Sequence, residues 1–191
     1  MAALASSPMF AEKLMRSGHP DGPKESSVHI MPPHALDSEP VSFAVRHWEA
    51  LRGSRRYPTR DEILPRDMAG VLRHVVLIRV LDVGDDFEYR IVGDAHVQAH
   101  GSNFVGMRLK EIEKAHPGFD PNTRATYEFV RFTGEPLAVR GWVGRDVPES
   151  KFCYYETVFL PLGTKDGVDH LLTVTSYVPR AGAAHFSDKK A

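Results

Sequence analysis

The sequence has little of what would indicate an extracellular or membrane-bound protein. Its 191 residues include a single cysteine, Cys153, so no disulfide can form within the chain and a reducing compartment is expected. No run approaches the roughly 20 consecutive apolar residues that cross a bilayer. The N-terminal segment also lacks the continuous apolar core of a secretory signal. The sequence therefore predicts a cytoplasmic protein without a membrane partner.

An excess of charge of one sign is lacking as well. The chain has 24 Lys and Arg against 25 Asp and Glu, a formal net charge of -1. Four arginines gather in "RGSRRYPTR", namely Arg52, Arg55, Arg56 and Arg60. They could bind phosphate groups or an acidic partner, or they could form a structural joint offset by nearby acidic residues. Because a large positive field and interleaved aromatics are missing, no nucleic-acid partner is expected.

Recognisable catalytic motifs are also missing. The sequence contains no nucleophile elbow, phosphate loop or metalloprotease helix, so we expect that the chain is not an enzyme. Asp94 with His96 keeps acid–base chemistry in a small α+β enzyme open as an alternative. His96 and His100 are four residues apart, as two metal ligands on a helix would be, but no third ligand for zinc is evident. We expect no metal and interpret both histidines as surface or pocket-rim residues.

Composition and hydrophobic periodicity divide the chain into four parts. Residues 1–36 are rich in Ser, Pro, Gly and His and predict a flexible tail. Residues 37–69 predict an N-terminal helix and a connector, residues 70–180 an ordered domain, and residues 181–191 a C-terminal tail. The predicted helix carries one apolar stripe, which could cover the opposite face of the sheet or contact a second subunit. We expect it to be the dimer or partner contact: Val41, Ala44, Trp48 and Leu51.

The ordered domain shows the period-two pattern of strands. Strands are predicted over residues 75–83, 87–92, 137–143, 152–161 and 170–178, with three short helical pieces between the second and the third. Tyr89 and Ile91 are expected on one face of the second strand. Ala125, Phe129 and Phe132 are expected to form the buried stripe of the longest helical piece. This order predicts an α+β fold, a five-stranded antiparallel sheet with its helices on one face.

Three stretches resemble PAS sensory domains. "FEYRIVGDAHVQAHGSNFVGMRLKEI" looks like the second strand and first short helices of such domains, and "YYETVFLPLGTKDG" resembles their fourth strand and its hairpin. The lead-in "HWEALRGSRRYPTRDEILPRDM" before "HVVLIRVLD" is similar to a bacterial PAS subfamily of small proteins. The resemblance covers residues 48 to 177. It implies a PAS-like five-stranded antiparallel sheet with short helices on one face and an N-terminal amphipathic helix.

The resemblance also implies a function. It points to a stand-alone sensory or regulatory module that binds a small molecule and signals through a homodimer or a partner in trans. A ligand-free protein–protein adaptor is the alternative. The cofactor is unknown. Covalent flavin chemistry is excluded because residues 94–112 contain no cysteine, and a histidine-free long helix over residues 121–133 argues against haem.

We predict a ligand pocket between the short helices and the sheet, because small-molecule sites are mostly apolar with a few directed polar groups. Its predicted apolar lining is Tyr89, Ile91, Phe104, Trp142 and Tyr155, and its polar groups are Asn103, Arg140 and Ser176. The alternative is that these aromatics fill a core. Arg140, if buried, needs an anionic partner, which could be a ligand or Glu156 on the neighbouring strand.

Overall fold

The structure is a computed structural model and describes residues 24–81, 85–116, 119 and 122–180. The C-terminal tail and residues 1–23 of the predicted N-terminal tail lie outside the described residues. The helices are α1 (Glu39–Arg52), α2 (Asp94–His100), α3 (Leu109–Ala115) and α4 (Thr123–Thr133). The strands are β1 (Ser27–Met31), β2 (Val75–Leu81), β3 (Asp86–Val92), β4 (Leu137–Trp142), β5 (Phe152–Thr164) and β6 (Gly167–Pro179). Short 3₁₀ helices cover Pro33–Ala35, Arg60–Glu62, Pro65–Met68 and Leu72–His74.

The strands form one antiparallel sheet in the order β1-β4-β5-β6-β2-β3. The pairs β2–β3 and β5–β6 are consecutive, and α2, α3 and α4 all lie in the chain between β3 and β4. This α+β arrangement fits the PAS-like fold that the sequence resemblance implied. None of the helices in the described ranges is both long enough and apolar enough to cross a membrane.

The sheet has six strands where the sequence predicted five. The additional strand, β1, lies within the segment predicted to be a flexible tail, and it pairs with the outer edge of β4 from Ser27 opposite Trp142 to Met31 opposite Ala138. Val28 and Ile30 supply the β-branched residues that favour a strand. The pairing satisfies backbone groups of β4 that would otherwise be unpaired at the sheet edge.

Helix α1 covers one face of the sheet. Val41, Ala44 and Trp48 are 0–2% exposed and pack with residues of β5 and β6, including Val158 and Leu172. The indole Nε1 of Trp48 donates to the Pro161 carbonyl at 2.8 Å, which satisfies its polar atom inside the core. Side chains expected to contact a second subunit are therefore buried against the chain's own sheet. Leu51 is partly buried against the same cluster.

Helices α2, α3 and α4 lie over the other face. The core on this face joins residues of β2, β3 and β6 to the helices: Val76, Ile78, Phe87, Tyr89, Phe104, Leu109, Ile112, Tyr127, Val130 and Leu171. Two buried clusters thus sandwich the sheet, one beneath α1 and one beneath the later helices. Four consecutive β2 residues are buried because alternate side chains enter these two clusters.

The buried stripe of α4 is not the one that the sequence predicted. Tyr127 and Val130 face the sheet, whereas Phe129 is 49% exposed and Phe132 is 83% exposed. Ala125 is exposed as well. The helix carries two apolar stripes. The stripe with Tyr127 faces the sheet because the Tyr127 ring packs edge-on against Phe159 and its hydroxyl hydrogen-bonds to the buried Tyr89 hydroxyl.

Ile91 lies on the face opposite to the predicted one because β3 contains a β-bulge. The pairing of β2 with β3 shifts between Leu77 and Ile78, so Ile78 opposes Tyr89 whereas Leu77 opposes Ile91. Directly opposed residues share a face, and Leu77 belongs to the cluster beneath α1. Ile91 therefore lies on the α1 face and Tyr89 on the other, because the extra residue of a bulge resets the alternation of side chains.

Candidate functional site

The eight predicted pocket residues do not form one site. Tyr89, Phe104 and Tyr155 lie on the face covered by α2, α3 and α4. Four others lie on the α1 face: Ile91, Arg140, Trp142 and Ser176. The strand register assigns these faces, because Arg140, Glu156 and Ser176 form one row across β4, β5 and β6. Asn103 is exposed, and its side-chain oxygen accepts a hydrogen bond from the backbone N–H of Val105 at 3.1 Å, within its own turn.

Arg140 has a protein partner, which is the second of the two alternatives. Its guanidinium bonds to the Glu156 carboxylate at 2.9 Å and to the Asp37 carboxylate at 2.9 Å. Glu156 also accepts the backbone N–H groups of Asp37 and Ser38 at 2.9 and 2.8 Å, and the Tyr154 hydroxyl at 2.6 Å. These bonds attach the N-terminus of α1 to the sheet and leave Arg140 with a structural role.

The electrostatics of Glu156 follow from this network. Burial alone would raise the pKa of its carboxyl, but hydrogen bonds from Tyr154 and Ser38 and the charge of Arg140 lower the pKa below its usual value overall. Glu156 therefore stays ionised at neutral pH, although it is only 1% exposed. Trp142 packs at the end of the same network, with its ring centroid 4.6 Å from that of Tyr154.

The arginine-rich segment is also held by the chain itself. Arg55 pairs with Glu62 at 2.6 Å, and Arg56 donates to the Thr133 carbonyl at the end of α4. The guanidinium of the half-buried Arg52 lies over the Trp48 ring, 5.2 Å from its centroid. These contacts favour the interpretation of a structural joint between α1 and the domain over that of a phosphate site.

Beneath the later helices lies an aromatic interior. The hydroxyls of Tyr89 and Tyr127 are 2.8 Å apart and hydrogen-bond one another, and burial raises the pKa of Tyr89. Phe104 packs edge-on against Tyr89, with ring centroids 5.9 Å apart. Phe104 in turn reaches His96, whose ring centroid is 6.3 Å away. A continuous chain of ring contacts thus joins the centre of this face to α2.

A cluster of His96, His100 and Tyr177 occupies the other end of that chain of rings. Gly93 and Gly101 bound the short helix α2, and Gly101 ends it in the left-handed conformation with φ 72°. The spacing of four residues places both histidines on one helix face, with ring centroids 4.3 Å apart. The Tyr177 hydroxyl lies between them, 2.8 Å from His96 Nδ1 and 3.1 Å from His100 Nε2.

Both histidines are uncharged at neutral pH. Burial, reinforced by His100, lowers the pKa of His96 to about 3. The contact of its ring with the protein and the charge of Lys151 lower the pKa of His100 to about 4, although His100 is exposed as a residue. Burial raises the pKa of the Tyr177 hydroxyl. The cluster is therefore a neutral hydrogen-bonding group at pH 7 and not a charged one.

One polar atom of the cluster, His96 Nε2, has no hydrogen-bond partner among the described residues. A single hydroxyl proton can be donated to only one histidine, so the other histidine must donate its own N–H to the Tyr177 oxygen. The second nitrogen of His96, Nε2, is buried and has no hydrogen-bond partner among the described residues. The Thr173 hydroxyl, on the same face of β6, is likewise buried without a hydrogen-bond partner among the described residues. Buried polar atoms of this kind are uncommon in proteins, because each costs free energy.

The cluster offers too few ligands for a metal as the described residues stand. No group of three or more His, Cys, Asp or Glu side chains that could hold a metal ion occurs in the described ranges. His96 and His100 are each hydrogen-bonded to the Tyr177 hydroxyl. His96 packs beside Phe104 and His100 beside Phe152, and the interpretation of both as rim histidines stays a prediction.

Sequence reasoning noticed the histidines but missed Tyr177 and the threonines beside it. The pattern that could have found them is the alternation in "LTVTSY" of β6, which places Thr173, Thr175 and Tyr177 on one face. Thr175 exchanges a hydrogen bond of 3.1 Å with Thr157 on β5. Three threonines and a tyrosine thus add polar groups to a face otherwise built from aromatic and aliphatic side chains.

Comparison with known proteins shows no family for this chain. No family model matches it. A curated relative, the probable inorganic carbon transporter subunit DabA of Parafrankia sp. (strain EAN1pec), is 33% identical over 113 residues. The match covers 49% of this chain and 10% of the relative, so the chain spans about a tenth of the length of the curated relative that it matches.

Among solved structures, an RNA-binding light-oxygen-voltage receptor is similar, with 13% identity and a TM-score of 0.36. The match covers 83% of this chain and 40% of that receptor. A likeness this distant carries no argument about what the present chain binds. The PAS-like fold therefore rests on the sheet and on the placement of the helices, and the bacterial subfamily suggested by the lead-in stays a prediction.

Proposed function

We propose that the chain is a PAS-type sensory or regulatory module without catalytic activity, and that it binds a small, uncharged molecule beneath α2. The ligand would lie between α2 and the β5–β6 part of the sheet. There it would contact Phe104 and Tyr177 and hydrogen-bond to His96. The proposed site shares Phe104 with the pocket expected from the sequence, but its polar groups come from α2 and β6 instead of β4.

One observation carries this proposal. His96 Nε2 is a buried polar atom without a hydrogen-bond partner among the described residues, and it lies among aromatic rings beside an already bonded hydroxyl. A directed polar group in apolar surroundings is how small-molecule sites obtain orientation and specificity. Because the two histidines are uncharged at neutral pH, a neutral ligand suits the cluster better than an ionic one.

The ligand-free adaptor is the second candidate, and the packing of the interior favours it. Tyr89 and Tyr127 satisfy each other's hydroxyls, and Phe87 and Phe104 fill the space beside them. On this hypothesis the aromatic face is an ordinary core, and function lies in contacts with other proteins. The small α+β enzyme has no comparable support, since Asp94 bonds to Gln98 at 2.6 Å and not to His96.

A thermal-shift screen with two matched variants tests the proposal. Small neutral aromatic and heterocyclic compounds that raise the melting temperature of the wild type should fail to stabilise His96→Phe, which keeps a ring but removes the hydrogen-bonding nitrogens. They should still stabilise Ser176→Ala, because Ser176 lies on the opposite face of the sheet. Compounds that stabilise His96→Phe as much as the wild type would refute the site.

A further inference from the structure

The outer face of α4 presents an apolar surface to solvent. Phe132 is 83% exposed and Phe129 is 49% exposed, and they lie on one side of a regular helix. Beside them is a groove of about 420 Å³ lined by Ala125, Glu128, Phe129, Arg131 and Phe132. Single exposed apolar residues are ordinary in proteins, but adjacent aromatic rings bordering a groove are typical of a surface that contacts another molecule.

Two opposite charges flank these rings. Glu128 and Arg131 are three residues apart and therefore lie on the same side of the helix, with Glu128 exposed and Arg131 half-buried. Neither forms an ion pair with another residue in the described part of the chain. Arg131 Nε is a buried atom without a hydrogen-bond partner there. The neighbouring Arg124, by contrast, is already engaged by Asp86 and Glu113.

We propose that the outer face of α4 is the surface through which two copies of this chain associate about a two-fold axis. The two α4 helices run antiparallel, and Phe132 of each copy enters the groove beside Phe129 of the other. Glu128 of each copy then lies opposite Arg131 of the other. The occupant is a second copy because one surface holds both members of each contact, the ring with its groove and the acid with its base. A two-fold interface requires this self-complementarity.

The surface differs from the one expected from the sequence. The apolar stripe of α1 is buried within the chain, so it cannot contact a partner unless the core opens. The stripe of α4 that was expected to be buried is the exposed one. The contact is also small. One helix face lies well below the roughly 800 Å² per partner of a standard interface, so the dimer is weak and depends on concentration.

Analytical ultracentrifugation of the full chain, from low micromolar to several hundred micromolar, tests this. The wild type should pass from monomer to dimer, and Phe132→Ser should weaken the dimer by about tenfold or more, because it removes a ring that is exposed in the monomer and would be buried in the dimer. Val105→Ser is the matched control. Val105 is another exposed apolar residue, at 50%, on the loop that pairs with β3 instead of on α4. It should leave the dissociation constant unchanged.

Charge reversal separates a second copy from any other partner. Glu128→Arg and Arg131→Glu should each weaken the dimer several-fold at low salt, since each places like charges opposite one another. The double variant exchanges the two charges and should restore the wild-type constant, which is expected only if the face meets itself. A monomer at every concentration, a dimer unaffected by Phe132→Ser, or a double variant no stronger than the singles would overturn the proposal.

Discussion

At the scale of single residues, the same side-chain types have opposite roles on the two faces of the sheet. Arg140 and Glu156 have bonding partners on the α1 face, where they attach the start of that helix to the strands. His96 is bonded on one side only, by the Tyr177 hydroxyl. Arg140 and Glu156 have their partners within the chain and contribute to stability, whereas the second nitrogen of His96 is the atom to which we propose that a ligand bonds.

The burial of His96 has a measurable consequence for stability against pH. Its pKa is about 3 in the folded chain and 6.5 ordinarily, so between these values the unfolded chain takes up a proton that the folded chain does not. The free energy of unfolding therefore falls as the pH is lowered from 6.5 towards 3. For this one group the fall is at most about 1.4 kcal/mol per pH unit.

Urea unfolding at several pH values between 5 and 7 measures this slope. The range is chosen because it spans the ordinary histidine pKa of about 6.5. The variant His96→Phe should show a shallower dependence than the wild type. A residual slope is expected, because burial also lowers the pKa values of His74 and His100. Equal slopes for variant and wild type would mean that His96 binds a proton as readily in the folded chain as in the unfolded chain. That result would contradict the burial of its ring.

At the scale of elements, two helices have exchanged the roles that their sequences suggested. The single apolar stripe of α1 allowed either a cover for the sheet or the expected partner contact, and in the structure it covers the sheet. Helix α4 has apolar residues on both sides. Its inner side carries Tyr127, which touches the aromatic interior, and its outer side carries the proposed dimer contact. Helix α4 thus contacts the aromatic interior on one side and carries the proposed association surface on the other.

Replacement of Trp48 distinguishes the two roles of α1. Because Trp48 is 2% exposed and its indole donates to the Pro161 carbonyl, Trp48→Ala should lower the free energy of unfolding by about 3–5 kcal/mol. The dissociation constant of any dimer should stay the same. Trp48→Phe, which keeps a ring but loses the hydrogen bond, should lose less stability.

Chemical denaturation and ultracentrifugation on the same samples check both halves. A Trp48→Ala chain that remains as stable as the wild type but no longer self-associates would show that α1 is the contact, as the sequence alone suggested. In that case the burial of its stripe against β5 and β6 would be wrong, together with the dimer surface on α4.

The elements were more predictable from sequence than their orientation. Period-two alternation and turn residues located β2, β3, β4, β5 and β6, and helical spacing located α1, because these patterns reflect burial of one face. The bulge beside Ile91 could not be foreseen, since it changes the face without changing the sequence pattern. The choice between the two stripes of α4 depended on residues distant in the chain, such as Tyr89 and Phe159.

The candidate site was predictable only in part for the same reason. The interrupted helix "AHVQAH" correctly drew attention to His96 and His100. Their partner Tyr177 is 81 residues from His96 and is brought beside it by the pairing of β6 within the sheet. Arg140 and Ser176 were assigned to the pocket because alternation alone does not say which face of a central strand is covered by which helix.

At the scale of the whole molecule, the sheet separates a structural half from a proposed sensing half. The α1 face is closed by an aliphatic core and an ion-pair network. The other face combines aromatic rings, buried threonines and the histidine cluster beneath three short helices.

The most direct test of the proposed sensory function is native mass spectrometry of freshly purified protein, with an absorption spectrum of the same sample. We expect a reproducible mass above that of the bare chain. We also expect it to disappear in His96→Phe but not in Ser176→Ala. No visible absorption band is expected, because residues 94–112 contain no cysteine for covalent flavin chemistry and the long helix contains no histidine for haem. A bare mass for the wild type under all conditions would contradict ligand binding and leave the adaptor as the better account.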